Sequence, residues 1–129
     1  MADGRLETTG GFDTLLRYPG DRRGQWDLSA IRTIRFRCKA ANEHAFQNAS
    51  PWVRSGHHKK GYFEWHPTSD LLNEARDKWI ELVVPIEGDD VWKRTTVGTP
   101  SLEEIHYFEL HADTWDYGFT LWLDDVRLQ

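Results

Sequence analysis

The chain has 129 residues, a length that suits one domain able to bury a two-layer core. Its formal net charge is -5, with no basic stripe to neutralise phosphate, which argues against a nucleic-acid partner. No apolar run approaches the roughly 18 residues that a membrane-spanning helix needs, so no membrane partner is expected.

Residues 14–18 read as a first strand, stopped by Pro19-Gly20-Asp21. Asp27-Leu28-Ser29 leads into an alternating run over 31–39, with Ile34, Phe36 and Cys38 on one parity and Arg35 and Arg37 on the other. Cys38 is the single cysteine, has no internal disulfide partner, and reads as a small core residue. Residues 46–54 form a weaker strand broken by Pro51, and the basic stretch 54–60 reads as a solvated loop. Residues 61–66 place Phe63 and Trp65 on the core parity and Tyr62, Glu64 and His66 on the other. The one helical signal is short, over 69–77, with Ser69 or Asp70 as its cap. Residues 79–86 point Ile80, Leu82, Val84 and Ile86 inward and Trp79, Glu81 and Val83 outward.

Residues 92–96 suggest a short edge segment. Over 105–112, Phe108 and Leu110 alternate with Tyr107, Glu109 and His111. The closing strand covers 117–128. There Phe119, Leu121 and Leu123 alternate with Thr120 and Trp122, then the apolar parity slips by one at Asp124-Asp125 before Val126 and Leu128. That slip predicts a bulge. About eight strands without linker or repeat predict an all-β fold, a β-sandwich jelly roll of two antiparallel sheets with one concave, solvent-facing sheet.

If the apolar parity is core, an unusual set faces water: Tyr62, Glu64, His66, Trp79, Glu81, Tyr107, Glu109 and His111. Trp52 and Arg54 join it if Val53 is buried. Trp115, within Asp113-Thr114-Trp115-Asp116, lines the end of a cleft or packs its loop. Seven tryptophans in such a chain are more than a core needs, because indole is seldom fully buried and its N–H seeks a partner. Aromatics mixed with carboxylates, imidazoles and arginine suit a glycan, whose rings stack and whose hydroxyls hydrogen-bond.

Several segments resemble a known family in order and spacing. They are Asp27-Leu28-Ser29, Gly61-Tyr62-Phe63-Glu64-Trp65, the run from Trp79 through Pro85 to Ile86, and the closing run Leu121 to Leu128. Together they resemble carbohydrate-binding modules with the galactose-binding-like β-jelly-roll fold, over most of the chain. The resemblance implies a single carbohydrate-binding domain over 1–129, excised from a larger secreted glycoside hydrolase. It implies an extracellular, non-catalytic monomer, tethered to a catalytic domain and binding β-linked plant polysaccharide such as cellulose chains, mixed-linkage glucan or xyloglucan. No signal sequence is read ahead of the domain.

The resemblance also implies a structural Ca²⁺. Asp124 and Asp125 are poor strand formers, and an oxygen-rich cation site at the bulge is one reason for them. A salt bridge to Arg127 or Arg17, or solvent exposure, is the other. Family members often open on an acidic strand that helps hold the ion. Here the nearest candidates are Glu7 and Asp13, in a Gly-rich opening without that motif. The metal set is therefore Asp124 with Glu7.

Two alternatives stand beside this reading. A small jelly-roll glycosidase would use a carboxylate pair among Glu64, Glu81 and Glu109, and a lyase would use Tyr107 and His111. The Glu-x-Asp-x-x-Glu spacing of jelly-roll glucanases is absent, so no enzymatic activity is expected. A protein-interaction module on the same fold would show an apolar patch instead of a mixed one.

Overall fold

The computed structural model describes residues 4–8 through their backbone, and residues 14–20, 24–42, 44–114 and 117–129 in full. Among these residues nine strands form two antiparallel sheets: β1 Gly4–Thr8, β2 Thr14–Tyr18, β3 Thr33–Asn42, β4 Gln47–His57, β5 Gly61–Pro67, β6 Ile80–Pro85, β7 Trp92–Gly98, β8 Tyr107–Asp113 and β9 Phe119–Leu128. One sheet has the order β1-β9-β3-β6 and the other β2-β8-β4-β5-β7. The chain is an all-β jelly-roll sandwich, as expected, and it changes sheet at most connections.

The core lies between the inner faces. Ile34, Phe36, Cys38 and Ala40 of β3 meet Val53, Phe63, Trp65, Phe108 and Leu110 of the opposite sheet. Each large side chain removed from water there contributes about 1.5–3 kcal/mol. Trp65 is wholly buried because its indole N–H donates to the Ile86 carbonyl at 3.1 Å. Trp26 packs edge-on against Phe108, at 5.0 Å between ring centres. Cys38 is buried, and loss of water pushes its thiol up to about 12.

Two irregularities matter for the outer faces. In β9 the register with β3 runs Arg37 opposite Asp124 and Arg35 opposite Arg127, so one residue is extra, and Asp125 has φ 55°. This is the bulge that the parity slip predicts. In β4 the register with β8 jumps from Gln47 opposite Asp113 to Trp52 opposite His111. Asn48 and Ala49 take positive φ inside this insert. Ser50 Oγ ties the insert down, donating to the Gln47 carbonyl at 2.6 Å and accepting from the Asp113 amide at 3.0 Å. Pro51 sits in this same insert, where a missing N–H breaks no ladder bond, so β4 continues as a long strand despite it.

Two expectations need correction. The helical signal yields only a five-residue 3-10 turn, Leu71–Ala75. Asp70 does not cap it; its carboxylate accepts from the Ser50 amide at 3.2 Å. The basic stretch is not all loop, because Arg54 to His57 finish β4 and only residues 58–60 make the turn into β5.

Candidate functional site

The five-stranded sheet brings most of the expected outward residues together. Across it, β2 pairs with β8, β8 with β4, β4 with β5, and β5 with β7. Side chains two apart on each strand therefore line up in rows that cross the sheet.

The first row is aromatic. Trp52 lies between two imidazoles, stacked on His111 at 5.0 Å and on His66 at 5.6 Å. The second row alternates in charge: Arg17, Glu109, Arg54, Glu64. Arg54 Nε donates to Glu64 Oε2 at 2.7 Å and its Nη1 stands 3.7 Å from Glu109 Oε1. Arg17 Nε approaches Glu109 Oε2 at 3.2 Å, without hydrogen-bond alignment. The imidazoles tie the first two rows together, with His111 Nε2 3.0 Å from Glu109 Oε1 and His66 Nε2 3.3 Å from Glu64 Oε1.

The third row is Tyr107, Gly56, Tyr62. The guanidiniums of the second row lie over these phenols, Arg17 at 4.1 Å from the Tyr107 ring centre and Arg54 at 4.2 Å from that of Tyr62. Gly56 is required between them. A Cβ there would meet the Gly61 carbonyl oxygen at 2.4 Å and the Tyr62 Cα at 2.6 Å.

The charges of this network are fixed by its contacts. Burial pushes the Glu64 carboxyl up, but the hydrogen bonds and charges of Arg54 and His66 outweigh it, and the group lies below its ordinary value. Burial likewise opposes ionisation of Glu109, and His111, Arg17 and Arg54 together hold it lowered. Burial works against the charge of Arg54 too, yet Glu64 and Glu109 raise its pKa further. Tyr107 is raised, first by burial and then by Glu109 beside it. Both carboxyls are therefore ionised near neutral pH.

The face is outward, as the parity predicts, but it is not uniformly open. Trp52 is 9% exposed, Tyr107 5%, Glu109 7% and His111 1%. Expecting these four in water overlooked their neighbours. The arginines sit over the phenols and pair with the carboxylates, and the imidazoles stack on Trp52. The accessible part runs along β5: Tyr62, Glu64 and His66, with Arg54 beside them. Lys93, Thr95 and Val97 of β7 continue it at the edge, in register with His66, Glu64 and Tyr62.

Arg17, considered from sequence only as a partner for Asp124 and Asp125, stands on the other sheet and meets Glu109 instead. Its alternation with Leu16 and Tyr18 signals the outward side, but only the pairing of β2 with β8 shows that it meets Glu109. At the Asp113 end of β8, His44, Ala45, Gln47, Thr114 and Tyr117 line a cleft of ≈ 300 Å³, with His44 stacked on Tyr117 at 3.6 Å. Trp115 lies outside the described residues.

Trp79 and Glu81 do not belong to this face. Their parity is outward, but β6 pairs with β3, so they emerge on the opposite side of the sandwich. Glu81 there takes Arg35 at 3.2 Å, and Trp79 lies beside Arg37.

The residues expected to hold a metal are also spread apart. Glu7 occupies the register position opposite Thr120, four residues from Asp124 along β9, on the order of 13 Å. Asp125 is engaged by Arg127, whose Nε donates at 2.8 Å, which is the ion-pair alternative for the acidic pair. Among the described residues, no group of three or more His, Cys, Asp or Glu is placed to hold a metal ion. Among the same residues, no helix is long and apolar enough to cross a membrane.

Comparison of the chain with protein-family models, with curated proteins and with solved structures finds no match in any of the three.

Proposed function

We propose that this protein is a non-catalytic carbohydrate-binding module whose five-stranded sheet takes the middle of a β-linked glucan or hemicellulose chain. The observation that carries this reading is the accessible strip on β5. There Tyr62 offers a ring braced by Arg54, and Glu64 and His66 offer polar groups held in fixed positions. A sugar ring stacks on the phenol while its hydroxyls donate to Glu64 and accept from Arg54 and His66. Trp52, Glu109 and His111 contribute from beneath, holding His66 and Arg54 in place, so little side-chain freedom is lost when the ligand lands.

The same network supports binding over bond cleavage. A glycosidase needs one carboxylic acid kept protonated to donate to the leaving oxygen. Glu64 and Glu109 are both lowered and both paired with arginine, the reverse of that requirement. In its natural setting the module acts outside the cell, tethered to a catalytic domain that it carries to polysaccharide.

Affinity electrophoresis against soluble neutral β-glucans, xyloglucan and xylan tests the proposal, with reducing-sugar release followed in parallel. Retardation by one or two of them without sugar release, lost in Tyr62→Ala, is the expected result. Sugar release would overturn the non-catalytic reading, and migration unaffected by every glycan would overturn the glycan reading itself.

A further inference from the structure

The four-stranded sheet has an outer face with the same ingredients and a different wiring. Trp122 of β9 is the register partner of Lys39 of β3. Cys38 pairs with Ile80, so Lys39 is flanked on its other side by Trp79, just ahead of β6. The order across the sheet is therefore indole, ammonium, indole. The two indoles stand one strand apart on either side of β3, on the order of 10 Å from each other. Trp79 is 41% exposed.

Each indole carries a cation. Arg37 lies 5.3 Å from the Trp79 ring centre and Lys39 lies 5.5 Å from that of Trp122. The neighbouring arginines are engaged, Arg35 by Glu81 at 3.2 Å and Arg127 by Asp125 at 2.8 Å. Among the described residues, no carboxylate stands within ion-pair distance of Arg37 or Lys39. In a chain of net charge -5, Lys39 stands between two stacking surfaces with no carboxylate in its row, and Arg37 stands in the next row between Glu81 and Asp124.

We propose that this face is a second glycan surface, and that its ligand is an extended polyuronate, a polysaccharide whose pyranose rings carry carboxylates. Rings two apart along the chain stack on Trp122 and Trp79. The carboxylate between them meets Lys39, and the next meets the Arg37 guanidinium, whose planar fork donates to it bidentately. A bilayer fits less well, because a flat headgroup layer would press on Glu81, Asp124 and Asp125 together, whereas a single chain can follow the Trp122–Lys39–Trp79 row, which holds no carboxylate. The proposal shares the glycan reading of the domain but uses none of the residues on the five-stranded sheet.

The test is affinity electrophoresis against polymannuronate, its carboxyl-reduced form and a neutral β-glucan, at low and high salt. Wild type is compared with Trp79→Ala, Lys39→Gln, Arg37→Gln and Tyr62→Ala. Polymannuronate is expected to retard wild type at low salt, and salt or carboxyl reduction to weaken it. Trp79→Ala is expected to lose about tenfold in affinity, the factor carried by a contact of about 1.4 kcal/mol, while Tyr62→Ala keeps it. Trp79 lies outside the strands, and Lys39→Gln supplies the same test should Trp79→Ala melt early.

Binding lost in Tyr62→Ala and kept in Trp79→Ala would overturn the proposal by placing the polyuronate on the other sheet. Retardation by neutral β-glucan with none by polymannuronate would overturn it and leave the first proposal standing. Neutral glucan failing while polymannuronate behaves as described would do the reverse. Co-sedimentation with phosphatidylserine vesicles, lost in Trp79→Ala and without polyuronate binding, would make the face a membrane surface and also overturn it.

Discussion

The two outer faces of this sandwich are built from one vocabulary of tryptophan, arginine, glutamate and a basic partner, yet they differ in how the charges close. On the five-stranded sheet Arg17, Glu109, Arg54 and Glu64 alternate across four strands, and every charge faces an opposite one. On the four-stranded sheet Arg37 and Lys39 face indoles. The first arrangement spends its polar groups on internal order, and ligand contacts are left to its margin along β5. The second pairs Arg35 and Arg127 with carboxylates and sets Arg37 and Lys39 against indoles. An aromatic-and-charged surface is thus two different things depending on which strand stands beside which.

Breaking the closed face should be the most damaging change available. Arg54→Ala leaves Glu64 and the deeply covered Glu109 without their shared cation, and a loss of about 3 kcal/mol is expected by urea unfolding. Arg54→Lys should recover only part of it, because one ammonium cannot bridge two carboxylates with a planar fork. Gly56→Ala comes next, at about 2 kcal/mol, since its Cβ collides with backbone across the β4–β5 pair where little can yield.

Acid should separate the faces more gently. Glu64 and Glu109 bind protons less readily folded than unfolded. They favour the folded state above their ordinary value of 4.5, and the advantage disappears as pH falls through their lower folded values. A melting temperature that drops below about pH 4.5 in wild type, and drops less in Arg54→Ala, is the expected profile. An equal drop in both would detach the acid sensitivity from this network. The smallest effect is expected on the open face. Arg37→Gln should change stability by no more than about 0.5 kcal/mol, because the side chain is exposed and its contact is with one ring. A larger loss would mean that this face is as internally committed as the other.

Alternation told inside from outside for nearly every strand, because burial of one face forces period two whatever the neighbours are. The bulge at Asp124-Asp125 was legible for the same reason: an inserted residue must flip the parity. Alternation is silent about partners. Trp79 and Glu81 share the outward parity of Glu64 and Glu109, and nothing local says that β6 joins β3 and not β5. Burial of His111 was equally hidden, since it depends on Trp52 arriving from β4 and β2 pairing on the other side, with Leu15 in register. The split of the basic stretch followed from pairing as well. Arg54 to His57 read as loop because charge dominates them, yet Ser55 is buried, with its hydroxyl donating to the Tyr107 carbonyl at 2.9 Å.

Cys38 stands in β3 with β9 on one side and β6 on the other, at the centre of the four-stranded sheet. A thiol held up to about 12 and closed off from water does not react while the sheet stays shut. Alkylating reagents reach it only when the ladder opens, so the molecule carries its own clock. The rate of labelling under native conditions times the opening of this sheet, with no substitution introduced and no background from a second cysteine.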